Sequence, residues 1–234
     1  MSRLTVLSVI AVVATYFLAQ PLAAKTISVE GQSTVEITPE FATLSGAVTQ
    51  ISKASPAAAQ QRVDAVINGL LATIEALPAD PESIEAGQLR VQPRYRWNST
   101  AETQELVGYE ATREFSFRLL DLDSVGEALQ ALSQAGTTRL DGPIYGSSKV
   151  DTARAEALGQ AYARALADAR VLASASGLSL GAPETISTGN TGGPIFPLMG
   201  RVATEAMSAD PSPRYEPGLL QVTAAVSVIF STRP

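Results

Sequence analysis

Several segments alternate strictly between apolar and polar residues, and this limits how the chain can fold. The clearest is VGYEATREFSFRLLD, residues 107–121, in which Arg113 is the one break in the apolar row. TISVEGQSTVEIT (26–38) and LLQVTAAVSVIF (219–230) alternate in the same way. A period of two predicts β-strands that bury one face and expose the other. Each such face needs a helix or a second sheet packed against it.

Two segments carry the complementary helical pattern. Ser55 followed by Pro56 predicts a helix start, because serine caps the first turn and proline fits its first position. Apolar residues then recur at helical spacing and Pro78 follows them: Val63, Val66, Ile67, Leu70, Leu71, Ile74 and Leu77. The second segment, residues 124–136, has a shorter apolar stripe and ends at Gly136, a plausible C-cap.

A third helix is predicted over AEALGQAYARALADARVLASASG, residues 155–177. Ser148 and Asp151 have capping-box spacing at its start, and Gly177 before Leu178 is typical of a Schellman end. A stripe of small residues would let this helix lie close to a neighbour: Ala161, Ala165, Ala169 and Ala173. We expect that neighbour to be the chain's own sheet, with a second subunit or a ligand as the alternatives. The expected anchors are Leu158, Tyr162 and Leu172, and the expected solvent-facing residues are Arg154, Arg164 and Asp168.

The remaining predicted strands give the order of secondary-structure elements along the chain. A hairpin is predicted around Thr38–Glu40, where Pro39 interrupts two strands, and IEAGQLRVQPRYRW (84–97) predicts an edge or bulged strand because it contains Pro93. The resulting order is β-β-α-β-β-α-β-α-β-β. Intermixed helices and one-sided strands predict an α+β fold, a mainly antiparallel sheet with three packed helices.

The N-terminal segment LTVLSVIAVVATYFLA has the length of a signal-peptide core and is short for a membrane span. We therefore predict a signal peptide over residues 1–24, cleaved near Ala24, with an uncleaved anchor as the alternative. Residues 25–234 then form the exported domain. Within it, residues 189–218 are rich in Gly and Pro without any period, which predicts a long mobile loop. This loop carries candidate assembly residues: Ile195, Phe196, Leu198 and Met199.

The chain contains neither histidine nor cysteine. This excludes Ser-His-Asp and Cys-His catalysis, and it disfavours zinc sites, which need imidazole or thiolate ligands. A formal net charge of −6 disfavours nonspecific nucleic-acid binding. Any chemistry would have to use carboxylate, lysine, tyrosine or serine side chains or a borrowed cofactor, and we assign no catalytic residue, no cofactor and no metal ligand.

The best candidate binding patch is RVQPRYRW, where Arg90, Arg94 and Arg96 share one strand face. Val91, Tyr95 and Trp97 share the opposite face, so arginines and aromatics do not form one base-stacking surface. The arginine face could meet a membrane surface or an anionic envelope polymer. The plainer interpretation is a solvated face backed by core or interface aromatics.

Three acidic pairs offer the alternative of carboxylate chemistry: Glu82/Glu85, Glu102/Glu105 and Asp121/Asp123. Each pair lies beside a predicted turn, where solvated acids are common and helix starts recruit them. A buried, convergent pair in a pocket would favour catalysis, whereas dispersed and exposed acids would favour assembly.

Segments in a consistent order resemble the SIMPL-domain family. GYEATREFSFRLLDLDSVGEALQALSQAG looks like the family's Gly-Tyr strand and following helix, and residues 145–181 look like its alanine-rich helix. VEGQSTVEITPEFATLSGAV and YEPGLLQVTAAVSVIF resemble its opening and closing strands. The similarity covers most of residues 26–231.

The resemblance implies a periplasmic protein, because bacterial members are mostly exported and some are associated with the outer membrane, and a non-enzymatic one, because the family offers no active site to carry over. Some members are linked to oxidative or envelope stress, and some assemble into ring-like or channel-like homo-oligomers. No catalytic motif defines the family. The alternatives are a periplasmic ligand-binding module, a carboxylate-based hydrolase and, by analogy with an animal relative, a signalling adaptor.

Overall fold

The computed structural model describes residues 25–189 and 217–234. The predicted signal peptide and the loop residues Ile195, Phe196, Leu198 and Met199 lie outside the described residues. The elements are β1 (Thr26–Ile37), β2 (Phe41–Ser52), α1 (Pro56–Glu75), β3 (Glu85–Asn98), β4 (Thr103–Leu119), α2 (Val125–Gln134), β5 (Arg139–Gly146), α3 (Val150–Ala175), β6 (Ser179–Thr188) and β7 (Leu220–Arg233). This confirms the predicted α+β class and the predicted order of strands and helices.

The strands form two antiparallel sheets, with orders β3-β4-β2-β5 and β1-β7-β6. The predicted hairpin around Thr38–Glu40 is therefore wrong, since β1 and β2 follow each other but belong to different sheets. The reason is that β2 pairs with β4 on one side and β5 on the other, which leaves no edge for β1. The edge position of β3 is confirmed, with register shifts on both sides of Pro93.

The described residues divide into two compact units. One contains residues 34–157 and 217–223, and the other contains 25–33, 158–189 and 224–234. In the first unit, helices α1 and α2 pack against the four-stranded sheet and bury Phe117, Ile67 and Leu132 in a common core. Ser55 caps α1 as predicted, because its hydroxyl oxygen accepts the Ala58 N–H at 3.1 Å.

In the second unit, α3 packs against β1 and β7 through its alanines. Ala161, Ala165 and Ala169 are fully buried in one apolar cluster with Phe230. The neighbour of the small-residue stripe is thus the chain's own sheet, as expected. Gly177 ends the helix with φ +67°, and the Leu178 N–H donates to the Ala173 carbonyl at 2.9 Å, which is the predicted Schellman end.

Two details of this helix differ from prediction. Leu172 is 47% exposed, so it does not anchor the helix, whereas Leu158 and Tyr162 do pack against the cluster. Leu172 lies outside the narrow alanine stripe that faces the sheet. At the helix start, the Ser148 N–H donates to Glu40 and not to Asp151, so the predicted capping box is replaced by a contact from the β1–β2 turn.

Candidate association surface

Strands β3 and β4 run beyond the end of β2 as a two-stranded ribbon. The β2–β4 ladder ends with Ser52 opposite Tyr109, so residues 103–108 of β4 pair with β3 alone. We call residues 93–98 and 103–108 the arm. Gly108 lies at its base with φ +153°, and a Cβ there would come within 2.8 Å of the Ser52 carbonyl oxygen. Glycine is therefore needed where the arm leaves the sheet.

One face of the arm is apolar and exposed. Tyr95 lies directly opposite Leu106, and Trp97 follows two positions later on the same face. These side chains are 54%, 48% and 61% exposed. Earlier on β3, Leu89 and Val91 share this face and pack against the core. The apolar row of β3 thus continues past the part of the sheet that the helices cover.

The opposite face of the arm carries paired charges. Arg94 contacts Glu110 at 3.5 Å and Arg96 contacts Glu105 at 3.7 Å, while Arg90 lies exposed on the same face. The structure therefore places the three candidate arginines together and separates them from the aromatics, as the alternation predicts. Two of the three guanidinium groups already have acidic partners, which lowers the excess positive charge of this face.

The acidic pairs have local roles in the structure. Asp121 accepts the Asp123 N–H at 3.1 Å, and Glu105 accepts the Asn98 amide at 2.5 Å in addition to its contact with Arg96. Glu82 and Glu85 are exposed beside shallow grooves. In the ranges that the structure describes, no group of three or more acidic side chains is placed to hold a metal ion.

A shallow polar groove lies on the four-stranded sheet and was not predicted. Its walls include Glu85, Glu114, Ser116, Arg139 and Asp141. The Arg139 guanidinium donates to Asp141 at 2.9 Å and to Glu114 at 3.4 Å, and these carboxylates raise the pKa of Arg139. The single Arg139 balances only one of the three carboxylates on these walls, Glu85, Glu114 and Asp141, so the groove keeps a net negative charge.

A second cluster that sequence reasoning missed joins the β1–β2 turn to the start of α3. Glu40 Oε2 accepts the Ser148 N–H at 2.8 Å and the Ser147 hydroxyl at 3.1 Å, while Oε1 contacts Lys149 Nζ at 2.8 Å. These donors, led by Lys149, lower the pKa of the Glu40 carboxyl to about 2. The cluster holds a turn against a helix N-terminus, where a carboxylate is favourable.

Comparisons with known proteins match this chain to a family and to a relative. Residues 27–230 match SIMPL, a protein of unknown function (DUF541). The chain belongs to the SIMPL family. It is also 28% identical over 151 residues to the uncharacterized protein YggE of Edwardsiella ictaluri (strain 93-146). That alignment covers 64% of this chain and 62% of the relative's length.

The membership confirms the predicted family, and neither comparison indicates an enzymatic activity. In residues 25–189 and 217–234, no helix has both the length and the apolar character to cross a membrane. The binding and assembly roles of the predicted site residues stay predictions.

Proposed function

We propose that this SIMPL protein is a non-enzymatic, exported protein of the cell envelope that works by self-association. Its roles would be envelope integrity or defence against oxidative stress, in the periplasm or at the outer membrane. The observation that carries the self-association is the exposed apolar face of the arm, formed by Tyr95, Trp97 and Leu106.

Large apolar side chains that cluster on a surface mark sites of interaction, whereas isolated ones are ordinary. The three arm residues are adjacent on one face of one ribbon. Tyrosine and tryptophan are also enriched in protein interfaces, because each buries a large area at a small cost in conformational entropy. The arm therefore has the composition of an association surface.

Several sheet edges are less suited to association. The edge strands β3, β5 and β6 contain Pro93, Pro143 and Pro183, respectively. Each proline removes a backbone donor and interrupts the edge as a template for another strand. This favours contact through the face of the arm over strand addition at these edges.

The envelope location rests on the apolar N-terminal segment, which has signal-peptide length. Cleavage near Ala24 would release a chain that begins at Lys25. N-terminal sequencing and the intact mass of the protein from the periplasmic fraction would test this. A chain that retains residues 1–24 and stays with the membrane fraction would overturn the cleavage and support an uncleaved anchor.

The self-association is tested by the solution mass of purified residues 25–234, measured by light scattering on a sizing column. We expect a mass several times that of one chain, consistent with a ring-like or channel-like assembly. A single-chain mass at every concentration would overturn the proposal. The stress role has its own test, since a deletion strain should be more sensitive to oxidant or detergent than its parent.

A further inference from the structure

We propose that the arms of two copies pack face to face across a two-fold axis, so that Tyr95, Trp97 and Leu106 of each copy cover the same residues of the other. This inference rests on the proposed self-association and specifies its contact surface. A two-fold contact is self-complementary, because the same patch serves on both subunits.

The apolar row of β3 supports this arrangement. Its inner half, Leu89 and Val91, packs against the helix-covered core, whereas its outer half, Tyr95 and Trp97, is more than half exposed. A second arm would cover the outer half as the helices cover the inner half. Two ribbons can pack face to face about 10 Å apart, which suits interdigitated aromatic side chains.

The charges of the arm favour a second copy over an anionic lipid surface. Arg96 is paired with Glu105 inside the arm, and Arg94 is paired with Glu110 at its base. A membrane-binding segment needs unpaired basic residues to gain from anionic lipids. The formal net charge of −6 opposes an anionic membrane and also a second copy, so a contact between copies has to lie where charges are paired, as they are on the arm. Two neutralised arms, in contrast, can approach each other without strong repulsion.

The area of the apolar face of the arm limits how tightly two arms can bind each other. Tyrosine and tryptophan bury about 150–250 Å² each when fully covered, so three partly exposed side chains fall short of the roughly 800 Å² per partner of a standard interface. We therefore expect arm pairing to depend on protein concentration and to be one of several contacts in a larger assembly.

Trp97 is the single tryptophan of the chain, so its fluorescence reports on the arm alone. In a concentration series, its emission should shift to the blue as the mass from light scattering rises. The same series is repeated with phosphatidylglycerol–phosphatidylethanolamine vesicles. A blue shift that needs vesicles while the protein stays monomeric would overturn arm pairing in favour of a lipid contact.

Cysteine scanning locates the contact, because the chain has no cysteine of its own. Gln104 lies opposite Trp97 on the apolar face, whereas Thr103 lies opposite Asn98 on the other face, and both are exposed. With a short bis-maleimide, Gln104→Cys should give a cross-linked dimer at several times the yield of Thr103→Cys. Equal yields from the two variants would overturn the face-to-face arrangement.

Substitution of Trp97 tests whether the arm is needed for self-association. Trp97→Ser should lower the solution mass, whereas Ile144→Ser, at a residue that is 66% exposed on β5, should leave it unchanged. Circular dichroism of each variant checks that it is folded. If wild type is oligomeric and Trp97→Ser leaves the mass unchanged, the arm proposal fails and the self-association stands. If wild type is a monomer at every concentration, both fail.

Discussion

Gly31 of β1 lies against Ala161 of α3 so closely that strand and helix touch through their backbones. A Cβ at Gly31 would overlap the Ala161 carbonyl oxygen and come within 2.8 Å of the Ala165 backbone nitrogen. Both alanines are fully buried. The absence of a side chain on the strand and the small side chains on the helix together set this short separation.

Gly31→Ala should therefore destabilise the protein, because the added methyl group meets backbone atoms that cannot move aside. We expect a loss of about 1–3 kcal/mol in the free energy of unfolding. Gly159→Ala on α3 is the matched control, since a Cβ there meets nothing within 4 Å. It should gain about 0.5–1 kcal/mol from helix propensity. Urea unfolding midpoints should move in opposite directions, and midpoints that move together would contradict the close approach.

The alanine stripe itself can be tested on one helix. Ala165→Leu places a large side chain at a fully buried position, whereas Ala163→Leu places it at an exposed one. Leucine and alanine have similar helix propensities, so any difference reports packing. We expect Ala165→Leu to lose about 1–3 kcal/mol and Ala163→Leu to change by less than about 0.5 kcal/mol. Thermal denaturation of both variants measures this, and equal melting temperatures would argue against the tight packing.

The elements were predictable from sequence because their signals are local. Residue alternation, the Ser55 cap and the Gly177 end each depend on a few neighbours in the chain. The partner of a strand need not be local: β1 pairs with β7, and Thr34 contacts Thr223 at 2.9 Å across 189 residues. A hairpin between β1 and β2 is predicted because the two strands follow each other in the chain. The sequence does not show that β4 and β5 already pair with the two edges of β2.

The candidate surface was predictable in part for the same reason. Alternation along β3 separates the arginines from Tyr95 and Trp97, but it does not show where β2 ends. Leu106 joins the aromatic face because the β3–β4 register shifts between Arg94 and Tyr95, and this shift depends on the paired strand. The exposure of the patch is likewise a property of the sheet, since the helices cover one part of the row and not the rest.

Arg113, the break in the apolar row of β4, is explained by an ion pair with α1. Its guanidinium contacts Asp64 at 3.1 Å and also donates to the Gly87 carbonyl at 3.2 Å. A double-mutant cycle with Asp64→Ala and Arg113→Met should give a coupling energy of about 0.5–1 kcal/mol, because both groups are only partly exposed. The pair Arg118–Asp80, with its longer distance of 3.9 Å and its more exposed guanidinium, should give a smaller coupling energy. A larger coupling for Arg118–Asp80 would contradict this ranking.

Glu40 gives the protein a specific dependence on pH. Lys149 and the Ser147–Ser148 donors favour its charged form and lower its pKa from 4.5 to about 2. A carboxyl group with a lowered pKa in the folded state contributes stability above its unfolded pKa, and that contribution is lost as the pH falls through the folded pKa. The contribution should therefore be complete above about pH 5 and should fade between pH 4.5 and 2.

Glu40→Gln removes this contribution while it keeps the size of the side chain. At pH 7 the variant should unfold at a lower urea concentration than wild type, because Lys149 and the Ser148 N–H lose their anionic partner. As the pH is lowered from 5 to 2, the two midpoints should converge, since wild type then protonates Glu40 as well. Glu184→Gln, at an exposed position on β6, controls for the loss of one negative charge and should follow wild type throughout. A midpoint difference that stays constant down to pH 2 would show that the Glu40 cluster does not hold its carboxyl group in the charged form.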